Sequence, residues 1–139
     1  MKVMVLVKAT ERSESGEFGP AEEFVAMDLF NDKLVETGVA VLAADGLQPT
    51  SNGKRVAIDA DGTTTVIDGP FSETKELVAG FSIWEVASMD EAVEWIKRSP
   101  LRDNEVELRK ALDAEDFDDS FPAEIAAAEK RTRAELTAN

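Results

Sequence analysis

The chain has 139 residues, with 15 basic against 29 acidic side chains and a formal charge of -14. That length supports one real hydrophobic core and not two comfortable ones, while the charge repels phosphate backbones and anionic lipid surfaces, so direct nucleic-acid binding is disfavoured. Cysteine, histidine and tyrosine are all absent, which excludes disulfides, zinc-thiolate sites, His-ligated haem and a hydrolytic Ser-His-Asp triad; no metal or cofactor is expected, and any chemistry falls to carboxylates, Lys, Arg, Ser and Thr.

No window approaches the roughly 20 apolar residues needed to span a bilayer. Met1-Lys2 leads straight into a strand pattern and not into a signal-peptide hydrophobic region, so a cytoplasmic protein with no membrane partner is expected. Val3 to Val7 are all apolar, as in a central strand covered on both faces. Thr10 to Gly19 reads as a polar loop. Pro20 then opens a helix with Glu22 and Glu23 in its first turn and Phe24, Met27, Phe30 and Leu34 along one side; Gly38 ends it, and Val39 to Ala43 returns as a strand.

Asp45 to Gly53 is rich in turn formers. Arg55 to Ala60 and Thr63 to Ile67 flank Asp61-Gly62, a hairpin signal. Asp68-Gly69-Pro70-Phe71-Ser72-Glu73-Thr74-Lys75-Glu76 follows, where Gly69-Pro70 cannot continue the strand and Phe71 supplies an apolar anchor. Ala79 to Ala87 is a strand whose alternation sets Phe81, Ile83 and Glu85 against Ser82, Trp84 and Val86. Ser88 with Glu91 predicts a capping box, Met89, Ala92, Val93 and Ile96 a helical stripe, and Pro100 its stop. Glu105 to Ala111 is the last strand, with Glu105, Glu107 and Arg109 on one face. Residues 1–112 are expected to form one domain, and 113–139 an acidic tail with a helix from about Pro122, its start docked and its end solvated.

The order strand, helix, strands, helix, strand is a split βαβ pattern with an inserted hairpin, which predicts a ferredoxin-like α+β sandwich. Helices should cover one sheet face. Val, Leu, Phe and Trp are too numerous for the other face to stand in water, so a second copy placed sheet to sheet is expected, as a homodimer.

Asp68 is a candidate acid-base group, or it simply accepts hydrogen bonds from its own turn. Glu73 is the acid near enough in sequence to pair with it, and Lys75 would line the same cleft; a Ser72-started turn with solvated charges explains both equally well. Arg109 is a candidate clamp for a small anionic or polar ligand, or an ion-pair partner of a neighbouring strand. Phe71, Phe81, Trp84 and Trp95 are candidates to floor a pocket, although aromatics in a domain of this size are usually core. Asp68, Glu73 and Arg109 are expected to border one cleft.

Asp68-Gly69-Pro70-Phe71 and the residues after it resemble the signature of the DGPF-domain proteins of the YCII-related family. Met1 to Lys8, Phe30-Asn31 to Gly38, Asp45-Gly46-Leu47-Gln48-Pro49, Ala79-Gly80-Phe81 and Glu91 to Trp95 fall in that family's order. The resemblance covers about residues 1 to 112, and Ala114-Glu115-Asp116-Phe117 is similar to the longer members. It implies a homodimeric, dimeric α/β barrel. Lys110 replaces a proline after Arg109, and two further departures matter: many relatives carry a His that partners an Asp in the suspected site, which this histidine-free chain lacks, and Gln48 stands where some close relatives carry His. Gln cannot titrate, so a family proton carrier at that position is lost and Gln48 is left as a ligand-contacting candidate. Three functions follow, in order: a ligand-binding or regulatory dimer, which the resemblance links to extracytoplasmic-function sigma factors; a small cofactor-free enzyme using Asp68, Glu73 and Arg109; and an interaction module acting through the acidic tail.

Overall fold

In the computed structural model, which describes residues 1–73, 76–117 and 122–138, the apolar run after Lys2 forms the first strand, β1 (Lys2–Lys8). Its side chains alternate between two environments: Val3 and Val5 are buried, while Met4 and Leu6 on the other face are half-buried. A short helix, α1 (Glu11–Glu14), follows where a polar loop is predicted. The Thr10 hydroxyl accepts from the Ser13 N–H (3.1 Å) and the Ser13 hydroxyl from the Thr10 N–H (2.8 Å). Serine stands at the position usually held by Glu or Gln in this reciprocal cap, which hides the helix from a sequence reading.

The long helix α2 (Ala21–Glu36) begins after Pro20 and closes where the Thr37 hydroxyl donates to the Lys33 and Leu34 carbonyls, each at 3.0 Å. Gly38 then leaves the helix at φ +99°, a conformation costly for any residue with a Cβ. Of the predicted stripe, Phe30 and Leu34 are buried, Met27 is half-buried and Phe24 is exposed. The opposite side is also apolar, with Val25, Leu29 and Val35 in solvent.

Strands β2 (Ala40–Gly46), β3 (Lys54–Ile58), β4 (Thr64–Asp68), β5 (Val78–Glu85) and β6 (Val106–Lys110), with helices α3 (Met89–Lys97) and α4 (Ala123–Ala138), complete the chain. The main sheet has the order β2-β5-β1-β6, every neighbour antiparallel, and β3 pairs β4 as a separate ribbon. This is the ferredoxin-like split βαβ with an inserted hairpin. Asp61-Gly62 turns the ribbon as expected: Gly62 lies at φ +87° and an Asp61 carboxylate oxygen accepts from the Thr63 N–H at 2.9 Å. Ser88 caps α3 through the Glu91 N–H (3.1 Å), but the Glu91 carboxylate accepts from the N–H of Ala87, one residue before the cap, at 2.8 Å.

Helices α2 and α3 bury Phe30, Leu34, Ala92 and Trp95 against Val3, Val5, Trp84 and Val86 on one sheet face. The Phe30 ring lies 6.4 Å from Trp84 and 6.2 Å from Trp95, a tilted and an edge contact, each worth about 0.5–1.5 kcal/mol beyond the area buried. Cross-strand register puts Met4 beside Ile83 and Leu6 beside Phe81 on the other face, where all four are half-buried. Strand β6 borders this face with Arg109 and Glu107.

The tail begins with an ion-pair cluster, Lys110 Nζ lying 3.3 Å from Asp113 and 3.8 Å from Asp116. The hydrogen bond and charge of Asp113 raise the Lys110 pKa, and Lys110 lowers that of Asp113. Helix α4 is tied back through the Arg133 guanidinium, which donates to the Leu112 carbonyl. That anchor lies in the second half of the helix, whereas the sequence points to its start; Ile125 near the start is exposed and Phe121 is outside the described residues.

The two ends of this burial scale give a direct test. Leu34 is fully buried and Leu136 is 72% exposed. Leu34→Ala should cost about 3 kcal/mol of unfolding free energy in urea, and Leu136→Ala less than about 0.5 kcal/mol. Fluorescence of the two core tryptophans reads both.

Candidate functional site

All ten residues of β3 and β4 are exposed, and a lone two-stranded ribbon is only marginally stable in water. Its base is what holds it. Gly69 packs so closely on the turn Thr50–Asn52 that a Cβ placed there would lie 1.6 Å from the Thr50 carbonyl oxygen. The Gly69 N–H donates to the Gly53 carbonyl (3.0 Å), and the Phe71 N–H to the Thr50 hydroxyl oxygen (3.1 Å). Glu14, at the end of α1, grips the same threonine from the other side: its two carboxylate oxygens accept from the Thr50 hydroxyl (2.6 Å) and the Thr50 N–H (3.1 Å). The Gly69-Pro70 bond is cis, and the Arg55 guanidinium stacks over the Phe71 ring 3.9 Å from its centroid.

The residues predicted to share one cleft are not brought together. Asp68 ends β4 with its side chain 74% exposed, and its carboxylate pairs with Lys54 across the ribbon at 2.5 Å. Arg109 sits on β6, at the sheet edge opposite β2, the strand that leads into the ribbon. Its side chain is 73% exposed and its nearest acid is Glu107 on its own strand, at 3.7 Å; Glu107 also reaches Lys8 Nζ at 3.3 Å. Glu73 is exposed, its carbonyl accepting from the Glu76 N–H at 2.9 Å. Lys75 lies outside the described residues. Gln48 is exposed and accepts from the Asn52 amide (3.3 Å). Phe71 is half-buried under Arg55.

Trp84 is 2% exposed in the core, on the sheet face covered by the helices, where no ligand reaches it without unfolding. Its indole N–H has no acceptor among the described residues, at a desolvation cost of about 1–3 kcal/mol. Bulk and β-alternation hold Trp84 there, so a pocket floor needs other side chains.

Those side chains line a cleft that the sequence reading passed over. It holds about 550 Å³ between the loop around α1, the first turns of α2, the start of β5 and the loop after α3. Phe18, Phe24, Met27 and Leu101 supply apolar walls, and Thr10, Ser13 and Asn104 supply hydrogen-bonding groups. The Phe18 and Phe24 rings lie 6.3 Å apart, tilted by 55°. Across the mouth, Arg12 bonds both carboxylate oxygens of Glu23, at 2.6 and 3.4 Å. Gly19 makes room for this bridge: a Cβ there would sit 2.0 Å from the Glu23 carboxylate. The sequence signals were Gly19-Pro20 ahead of a helix and an aromatic pair six residues apart, and both were readable as ordinary helix entry and core.

Among the described residues, no group of three or more acidic side chains is arranged to hold a metal ion. The close contact at Gly69 predicts that Gly69→Ala costs at least about 3 kcal/mol, because the obstructing atom is backbone and cannot rotate away. Asp68→Asn, which breaks only an exposed pair, should cost under about 1 kcal/mol. Chemical denaturation of the two variants compares these values directly.

Comparison with known proteins bears on the whole domain. An uncharacterized protein of Rhizobium meliloti (strain 1021), R00369, is 50% identical over 36 residues, a stretch that spans 26% of this chain and 29% of that protein. The solved structure of 5-chloro-2-hydroxyhydroquinone dehydrochlorinase (TftG) from Burkholderia phenoliruptrix AC1100, in complex with 2,5-dihydroxybenzoquinone, matches with a TM-score of 0.46 and 14% identity over 85% of this chain and 100% of that one. The model of the YCII-related domain matches residues 1–114, which is most of the chain. The protein belongs to the YCII-related family.

Proposed function

We propose that this protein is a homodimeric small-ligand-binding protein whose site is the cleft between α1, the start of α2 and the loop after α3. The observation that carries this reading is the cleft itself. Its volume of about 550 Å³ falls in the range of roughly 300–1,000 Å³ typical of small-molecule sites, and its lining of apolar walls with a few polar groups has the usual composition of such sites. Residues 1–112 form the binding domain in this reading, and the tail from 113 is an appendage. A cytoplasmic location is consistent with the absence, among the described residues, of any helix long and apolar enough to cross a membrane.

An enzymatic reading has less support. Asp68 and Glu73 are exposed and neither lines the cleft, and an acid-base pair needs both groups within reach of one substrate. The interaction-module reading is weakened where the tail uses Asp113 and Asp116 internally, on Lys110.

An unbiased thermal-shift screen tests the ligand reading, since a bound ligand stabilises by mass action. Phe18 is 86% exposed, so Phe18→Ala should leave the melting temperature of the free protein nearly unchanged while reducing the shift produced by screening hits. Hits that shift wild type and Phe18→Ala equally would move the site elsewhere.

The dimer rests on the half-buried Met4, Leu6, Phe81 and Ile83 of the sheet face opposite the helices. Sedimentation velocity should give a dimer at micromolar concentration, and Leu6→Lys a monomer, because a permanent interface of this kind buries on the order of 2,000 Å² of largely apolar surface. A wild-type monomer would refute the sheet-to-sheet arrangement.

A further inference from the structure

The loop that closes the cleft on the α3 side is built around one cation. Arg102 lines the cleft, and its Nη1 donates to the carbonyls of Ser99 (3.1 Å) and Leu101 (2.7 Å). Ser99 is itself buried, which fixes the acceptor. The next residue, Asp103, takes a left-handed backbone at φ +50°, uncommon for a non-glycine residue, and the Asn104 side chain then accepts from the Glu105 N–H at 2.8 Å. The guanidinium is thus oriented by backbone, and among the described residues no carboxylate pairs with it. Three of its five N–H donors belong to Nη2 and Nε, which make no bond to the described residues.

The other charges of the cleft divide clearly. Glu23 is neutralised by the two-pronged bridge from Arg12. Glu17 and Glu22 are exposed at the rim, where water and salt screen them. The start of α2 borders the same space without a side-chain cap, so its partial positive charge is not already satisfied by a capping oxygen. A cleft with aromatic walls and one oriented, unpaired guanidinium is complementary to a flat apolar molecule bearing a single acidic oxygen group.

We propose that the cleft takes an aromatic anion, with its ring between Phe18, Phe24 and Met27 and its carboxylate or phenolate on Arg102. This rests on the cleft being the ligand site. Arg102 then does what the sequence pattern assigned to Arg109, because of the two it is the one that lines the cleft, with its guanidinium oriented by backbone carbonyls and two of its nitrogens left to contact a ligand.

Isothermal titration of the full chain at low salt with 2-naphthoate and 2-naphthamide, the same ring with a charged or a neutral head, tests the assignment. Wild type should bind the carboxylate at least about tenfold more tightly than the amide, the worth of a charge-assisted hydrogen bond. Arg102→Gln should remove that preference by weakening carboxylate binding more than amide binding, and Arg102→Lys should restore part of it. Equal affinity for the two probes in wild type would overturn the proposal, and this comparison needs no variant to fold. Amide binding that is weakened by Phe18→Ala, with no carboxylate preference, would retain the cleft as the site and reject only the anionic class. Should neither probe bind while screening hits ignore Phe18→Ala, both readings fall together.

Discussion

The grip of Glu14 on Thr50, with Gly69 pressed against the same residue, is the constraint on which the rest of the molecule depends. Three segments far apart in sequence meet there: the end of α1, the turn after β2 and the Gly69-Pro70 turn after β4. Without this junction the β3–β4 ribbon has nothing beneath it, and the α1 loop that carries Arg12 and Phe18 loses its fixed end. A carboxylate that accepts two hydrogen bonds from one residue is worth more than an exposed ion pair, because direction as well as charge is satisfied. The junction sets where the ribbon leaves the domain.

The family signature reads differently in this light. Asp68-Gly69-Pro70-Phe71 looks like a catalytic motif because it concentrates charge at a turn, yet its carboxylate faces Lys54 and solvent. What the turn needs is glycine, for the approach to Thr50, and an aromatic ring for Arg55 to cover. In this structure the motif is a structural joint between the ribbon and the Thr50 turn.

The distribution of apolar surface follows from two layers that are each apolar on both sides. Helix α2 buries Phe30 and Leu34 and still exposes Val25, Leu29 and Val35; the sheet buries Val3, Val5 and Trp84 and still carries Met4, Leu6, Phe81 and Ile83 on its far face. A net charge of -14 adds self-repulsion that opposes non-specific association of such surfaces.

The strands, the two main helices and the hairpin were legible in the residues alone, since β-alternation, helical stripes, caps and Asp61-Gly62 are local signals that act over a few positions. Even the face of Trp84 followed from alternation with Ser82 and Val86. The missed α1 turned on a single serine in a cap, and the separation of Asp68 from Arg109 on pairings between distant segments. Nothing local to Arg109 says that β6 lies at the edge away from the ribbon, and nothing local to Arg102 says that its guanidinium is oriented by the backbone of a loop with one left-handed residue. Sequence by itself therefore determined the class of fold and the absent chemistries, because composition and periodicity are properties of the chain. Only the tertiary structure decided which charges meet, because strand order, the Thr50 junction and the cleft between α1, α2 and the loop after α3 arise from contacts that no stretch of the chain contains.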